Sequence, residues 1–208
     1  MEVETTARFS SSRVTAAVLA GGESTRFGSD KALARLPGDT ATFLERVVSV
    51  ARSVADKVVI VAPDRSAYRS LGALIVLDLF PGEGPAGGVL TALREARTEW
   101  LLVLSCDQPL IETRDLATLL DGKGMAPVLV FQSASARLHP LPCLIRVDAC
   151  RSTVEAAYEE GCRSLTKLHV RCGVKSISIP DREAERRMSD IDSPADMPRG
   201  SQSQPGPA

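Results

Sequence analysis

Three short segments carry residue types that handle phosphate chemistry. The first reads Leu19-Ala20-Gly21-Gly22-Glu23-Ser24-Thr25-Arg26-Phe27-Gly28-Ser29-Asp30-Lys31, glycines followed by two cations. Glycine lets main-chain N–H groups approach phosphate oxygens closely, an arginine forks two donors onto them, and a lysine places a compact charge. That combination suits a triphosphate. The dinucleotide fingerprint GxGxxG is absent, and the Walker pattern fails because Gly28 is followed by Ser29 and Asp30 before Lys31. Standing alone, the segment also reads as an ordinary glycine-rich turn with solvated charges.

The second segment is Leu102-Val103-Leu104-Ser105-Cys106-Asp107-Gln108-Pro109, in which a single carboxylate follows an apolar run. A hard cation such as Mg²⁺ takes one or two protein carboxylates and fills its remaining positions with substrate phosphate oxygens and water, so Asp107 is the candidate metal ligand. Locally it reads equally well as a helix cap or turn residue. The third is Asp78-Leu79-Phe80-Pro81-Gly82-Glu83-Gly84-Pro85-Ala86-Gly87-Gly88, leading into a helix. Small residues there let a flat base or ribose pack against backbone, and the helix N-terminus adds donors. Asp78 can accept from base or sugar, or serve the turn itself.

These segments need elements to position them. Apolar runs at 14–20, 58–62, 74–77, 100–105 and 128–131 read as strands apolar on both faces, as a parallel sheet covered by helices requires. Helical spacing falls between them at 42–55, 87–96 and 113–120, the first presenting Phe43, Val47, Val50 and Val54 at intervals of three and four. The alternation implies a doubly wound α/β sheet, mostly parallel with helices on both faces, whose ligands sit beyond the carboxyl ends of the strands. A further strand is expected at 142–147, a helix at 149–160 and a strand near 174–179.

Bulk properties exclude several classes. A chain of 208 residues at 44% hydrophobic supports one domain, expected over 14–197, with polar tails at 1–13 and 198–208 that lack the apolar pattern to order. The net charge of −1 gives no basic field for nucleic acid, so any phosphate chemistry is local. No run approaches the length of a membrane span, and the N-terminal stretch has no apolar core of a secretion signal. Five cysteines without a CxxC pair, Cys106, Cys143, Cys150, Cys162 and Cys172, read as free thiols in a reducing cytoplasm. A zinc site drawn from Cys143, Cys150, Cys162, Cys172 and His139 is the alternative, on loose spacings.

Together the LAGGxSxRxGxDK loop, the D…GPAGG segment and the CDxP turn resemble the molybdenum cofactor guanylyltransferase family, within the glycosyltransferase-A-like nucleotidyltransferases. The likeness covers nearly the whole folded chain. His139-Pro140-Leu141-Pro142 is similar to that family's HP-containing strand start, Gly161-Cys162-Arg163-Ser164-Leu165 to its GxRS/RxL helix start, and Asp190-Ile191-Asp192-Ser193-Pro194-Ala195-Asp196 to its closing segment. The resemblance implies a nucleotide-diphospho-sugar transferase-like, Rossmann-like sheet. It also implies a reaction in which GTP and molybdenum-bound molybdopterin give the guanine dinucleotide cofactor and pyrophosphate.

By the same resemblance Leu19, Ala20, Gly21 and Gly22 and the Lys31 side chain bind GTP, Asp78 contacts the nucleotide, and Asp107 binds both nucleotide and Mg²⁺. Arg26, Lys31 and Asp107 form the catalytic set. The acceptor's phosphate needs a receptor, for which His139, Arg163, Asp190 and Asp192 are the candidates. A molybdoenzyme or chaperone that takes the product is the implied protein partner. Two departures stand out: Val61-Ala62-Pro63-Asp64-Arg65 offers no amide where the family often has NxNR, and the chain turns to Pro198 where relatives continue into a terminal helix. The rival readings are a relative using CTP or another phosphorylated acceptor, and a non-catalytic nucleotide-binding module.

Overall fold

The computed structural model describes residues 13–22, 30–63, 66 and 68–198. Seven strands form one sheet: β1 (Val14–Leu19), β2 (Lys57–Ala62), β3 (Leu74–Leu77), β4 (Trp100–Ser105), β5 (Val128–Gln132), β6 (Leu138–Arg146) and β7 (Val174–Ser178), in the order β3-β2-β1-β4-β6-β5-β7. Strands β1 to β4 pair in parallel, β6 runs antiparallel to both β4 and β5, and β7 is parallel to β5. The helices are α1 (Phe43–Arg52), α2 (Gly84–Glu95), α3 (Thr113–Asp121), α4 (Val147–Glu159), α5 (Leu165–Cys172) and α6 (Arg182–Arg187).

Side chains alternate across the sheet and divide the core into two layers. Ala16, Val18, Ile60, Leu102 and Leu104 face α1 and α3, burying Leu44, Val47, Ala51, Leu116 and Leu119. Ala17, Leu19, Val59, Val61, Leu101 and Val103 face α2, α4 and α5, against Val89, Leu93, Val154 and Leu168. Both faces are covered, as runs apolar at every position require.

The chain steps outward from β1 in both directions, so the switch in strand order lies between β1 and β4. Their ends are level: Leu19 pairs with Ser105, and the Cys106 N–H donates to the Leu19 carbonyl at 3.0 Å. The loops after both strands therefore leave side by side, where an open α/β sheet forms its crevice.

Three expectations need correction. The 74–77 strand is not covered on both faces: β3 is the sheet edge, and Leu74 is 55% exposed. The buried face of α1 is Leu44, Val47, Val48 and Ala51, with Val50 and Val54 only partly buried, because Phe43 turns to a separate cluster with Leu36 and Ile191. The strand expected at 142–147 begins earlier, at Leu138, because pairing with β5 extends through His139 past a register shift between Val130 and Phe131. Helix α6 was not foreseen; its short polar sequence has little periodic pattern. The expected tails lie, apart from Arg13 and Pro198, outside the described residues.

Local rules account for the ends that matter. A Thr42/Glu45 capping box starts α1, with Glu45 N–H donating to Thr42 Oγ1 at 3.2 Å and Thr42 N–H donating to Glu45 Oε2 at 2.6 Å. Pro85 in the first turn of α2 has no N–H to leave unsatisfied. A Cβ at Gly88 would meet the Leu19 side chain at 3.0 Å, so this glycine lets α2 lie close against the end of β1.

Candidate active site

A cavity of about 330 Å³ opens at the carboxyl ends of the parallel strands. Leu19, Ala20, Gly21, Gly22, Lys31, Asp78, Asp107, His139, Asp190 and Asp192 all line it, so ten residues singled out from separate segments share one space. Arg26 lies outside the described residues. Arg163 does not line the cavity.

On the β1 side, the Ala20 N–H donates to the Val61 carbonyl at 2.8 Å. A Cβ at Gly21 would stand 3.3 Å from Pro63 Cδ and 3.6 Å from Asp78 Oδ2, so the backbone there is within close reach of both neighbours. Asp30, not singled out from sequence, fixes the next turn: Oδ1 accepts from Ala32 N–H at 3.0 Å and Oδ2 from the Tyr68 hydroxyl at 2.6 Å. That turn carries Lys31 into the cavity.

Lys31 is the electrostatic centre. Its side chain is 14% exposed, and Nζ lies 3.2 Å from Asp107 Oδ2 and 2.8 Å from Asp192 Oδ1. Burial opposes the charge, but the hydrogen bond to Asp192 and the field of Asp107 outweigh it and hold the pKa above the ordinary lysine value. The other oxygen of Asp107, Oδ1, is buried and has no hydrogen-bond partner among the described residues. An orphaned carboxylate oxygen on a residue that lines the cavity fits a hard cation. Among the described residues no group of three or more His, Cys, Asp or Glu side chains gathers as a metal site, so such a cation needs oxygens from its ligand.

Asp78 is held by its own turn. Oδ1 accepts from Phe80 N–H at 3.0 Å and from the Thr91 hydroxyl at 2.9 Å, leaving Oδ2 toward Gly21.

The opposite wall comes from β6 and the chain after α6. Gln108 ties them: Nε2 lies 3.1 Å from the Leu141 carbonyl, 2.9 Å from that of Met188 and 3.0 Å from Asp190 Oδ1, three acceptors for two hydrogens. Ile191 N–H donates to the Asp107 carbonyl at 2.8 Å, and Arg187 grips Asp115 on α3 through Nη2 at 2.7 Å and Nε at 2.9 Å. These contacts fix Asp190 and Asp192 across from the glycine-rich loop. Burial, and secondarily the charge of Asp107, push the Asp190 carboxyl up to about 6.

His139 is buried, its Nε2 has no partner among the described residues, and burial and then Arg137 lower its pKa. It is neutral at physiological pH. Sequence reading missed Arg137 and Gln108, both of which line the cavity. A guanidinium three residues before Pro140, which lines the cavity, was the available signal for Arg137. Gln108 had none, since a buried amide serving distant carbonyls leaves no periodic trace.

Arg163 is occupied elsewhere. Its Nε pairs with Glu83, Nη1 donates to the Tyr158 carbonyl at 2.6 Å, and the guanidinium lies 3.7 Å over the Tyr158 ring. All five cysteines are free, and Cys106, Cys143 and Cys150 are buried. Cys150 and Cys172 are neighbours, but among the described residues no three His, Cys, Asp or Glu side chains gather as a metal site. Burial pushes Cys106 and Cys143 far above the thiol range, so the Cys106 sulfur beside Asp107 is no nucleophile.

Residues 16–172 match the model of the MobA-like NTP transferase domain family. The chain belongs to that family. It is 40% identical over 124 residues to a protein of Aquifex aeolicus named "Probable molybdenum cofactor guanylyltransferase", covering 60% of this chain and 59% of that one. A protein of the same name in Chloroflexus aggregans is 35% identical over 135 residues, 64% of this chain and 65% of that one. The chain thus spans less than two thirds of the length of these curated relatives. A solved protein of Aquifex aeolicus superposes with a TM-score of 0.72 at 33% identity, over 85% of this chain and 92% of that one. No helix among the described residues is long and apolar enough to cross a membrane.

Proposed function

We propose that the protein transfers GMP from GTP to molybdenum-bound molybdopterin, releasing pyrophosphate. The observation that carries the reading is the position of Lys31, bridging Asp107 and Asp192 between the glycine-rich loop and the opposite wall of one cavity. The relatives named for this activity support the choice of substrates.

A phosphate oxygen of the acceptor forms a bond to the α-phosphorus of GTP, and the bond from that phosphorus to the β-bridging oxygen breaks, its electron pair leaving on pyrophosphate. The acceptor oxygen is already anionic, so the protein supplies alignment and charge neutralisation. Backbone from Leu19 to Gly22 and the Lys31 ammonium receive the triphosphate; Arg26 serves the same phosphates. Asp78 takes the nucleoside. Asp107 would hold Mg²⁺, which would supply positive charge to the phosphate oxygens.

On the acceptor side, Asp190 and Asp192 repel a phosphate and suit N–H donors of a heterocycle. Arg137, an exposed guanidinium at the cavity, is the better phosphate receptor, with neutral His139 beside it. Arg163, paired with Glu83, is not available for that role. Five free thiols suit a reducing cytoplasm, and a molybdoenzyme or chaperone would take the product.

The test is pyrophosphate release with GTP, CTP or ATP, each with Mg²⁺ and molybdopterin. Release that needs the acceptor and favours GTP is expected; equal release with CTP overturns the base assignment, and release with none overturns the reaction.

A further inference from the structure

The turn that lines the nucleotide side of the cavity is conformationally expensive. Gly82 and Gly84 line the cavity with φ of 81° and 70°, both left-handed, and Glu83 stands between them. A glycine-flanked turn samples many states, so holding one of them needs a tether.

Glu83 provides it by reaching away from the cavity. Its Oε2 accepts from the Tyr158 hydroxyl at 2.7 Å and pairs with Arg163 Nε. Its N–H donates to the Phe80 carbonyl at 3.2 Å, and the Phe80 ring lies 4.8 Å from that of Tyr158. Tyr158 is buried at the end of α4, and a Cβ at Gly87 would press within 3.2 Å of its hydroxyl and 2.8 Å of Phe80 Cβ. Arg163 closes the set by stacking on the ring and bonding the Tyr158 carbonyl. One carboxylate therefore links the first turn of α2 to the α4–α5 junction through two donors. The hydrogen bond from Tyr158 and then that from Arg163 hold the Glu83 carboxyl below its ordinary range, so the tether is ionic at neutral pH.

We propose that Glu83, Tyr158 and Arg163 form a clamp that fixes the Gly82–Gly84 turn against the nucleotide, making them positioning residues for nucleotide affinity. This rests on the functional reading above, and it gives Arg163 a role on the nucleotide side of the reaction. None of the three touches the reacting phosphates, so the clamp acts on binding and leaves the chemical step alone.

The experiment compares Glu83→Ala, Glu83→Gln, Tyr158→Phe and Arg163→Ala in the full chain. It reads GTP, CTP and ATP dissociation constants by calorimetry, KM for each substrate, kcat and thermal midpoint. Glu83→Ala and Tyr158→Phe should weaken GTP binding roughly fivefold to tenfold, the loss of a charge-assisted hydrogen bond, while kcat and acceptor KM stay within about twofold. Glu83→Gln, which keeps an acceptor oxygen, should recover part of the affinity. Tyr158→Phe retains the ring and its packing, so its affinity change is read on a folded protein. Unchanged nucleotide affinity in both Tyr158→Phe and Glu83→Ala would overturn the clamp. So would an Arg163→Ala variant with raised acceptor KM and parental GTP affinity, since that marks a receptor for the acceptor. If the parent binds CTP or ATP in place of GTP, the guanylyl assignment fails, and the clamp is judged by the same ratios for the nucleotide that binds.

Discussion

Lys31 Nζ lies 3.2 Å from Asp107 Oδ2, joining residues 76 positions apart at the point where β1 and β4 end together. The contact places a cation at the end of the chain's phosphate loop, against the carboxylate with an orphaned oxygen. Lys31→Ala should therefore do two things. It should weaken GTP binding by about 1 to 3 kcal/mol, the range for a charge-assisted contact. It should also leave Asp107 and Asp192 to repel each other, so that Mg²⁺ raises the thermal midpoint of the variant more than that of the parent. Calorimetry with GTP and a melting series in Mg²⁺ check both; parental GTP affinity contradicts the phosphate role.

Gln108 is 3% exposed and serves acceptors 33 and 80 residues away. Gln108→Leu keeps the volume and strips the donors, leaving the Leu141 and Met188 carbonyls and Asp190 short of partners. A loss of about 1 to 3 kcal/mol in denaturant unfolding is expected. Acceptor KM should rise as well, because Asp190 and Asp192 lose their anchor. A variant as stable as the parent would show the tie to be dispensable.

Residues such as Gln108 explain why part of the site was illegible. The Leu19 to Gly22 run, Lys31, Asp78 and Asp107 stood out because each lies at or beyond the carboxyl end of an apolar run, and the strand order brings those ends together. β1 and β4 read as continuous apolar runs because both of their faces are covered. By contrast, Asp30 on Tyr68, Gln108 on Met188 and Glu83 on Tyr158 are polar ties across 38, 80 and 75 residues, which no local pattern announces. Edge exposure of β3 was hidden for the same reason: four apolar residues in a row look alike at the centre and the rim of a sheet.

His169 offers a pH test remote from the cavity. It is buried on α5 with Nε2 lacking a partner among the described residues, and burial pushes it from 6.5 down to about 4. Its folded pKa lies below its unfolded value, so the unfolded chain takes up the proton first. Stability is full above pH 6.5 and falls as pH drops toward 4, by on the order of 3 kcal/mol from this group. His169→Gln should flatten that part of the stability profile. An identical slope in the variant would assign the loss to other groups.

The thiols differ in reach. Cys106, Cys143 and Cys150 are buried, Cys162 and Cys172 partly open, and the hydrogen bond with Cys150 lowers the Cys172 pKa. A colorimetric thiol reagent should label Cys172 and Cys162 in the native protein and all five only after unfolding. Rapid native labelling of Cys106 would mean that the floor of the cavity beside Asp107 is open in solution.

The most direct test of the account is the mass of the acceptor. Molybdopterin incubated with the protein, GTP and Mg²⁺ should gain one GMP, and Asp107→Ala should abolish that gain in a protein that still melts cooperatively. Molybdopterin recovered unchanged from the parent reaction, or modified equally well by Asp107→Ala, would contradict it.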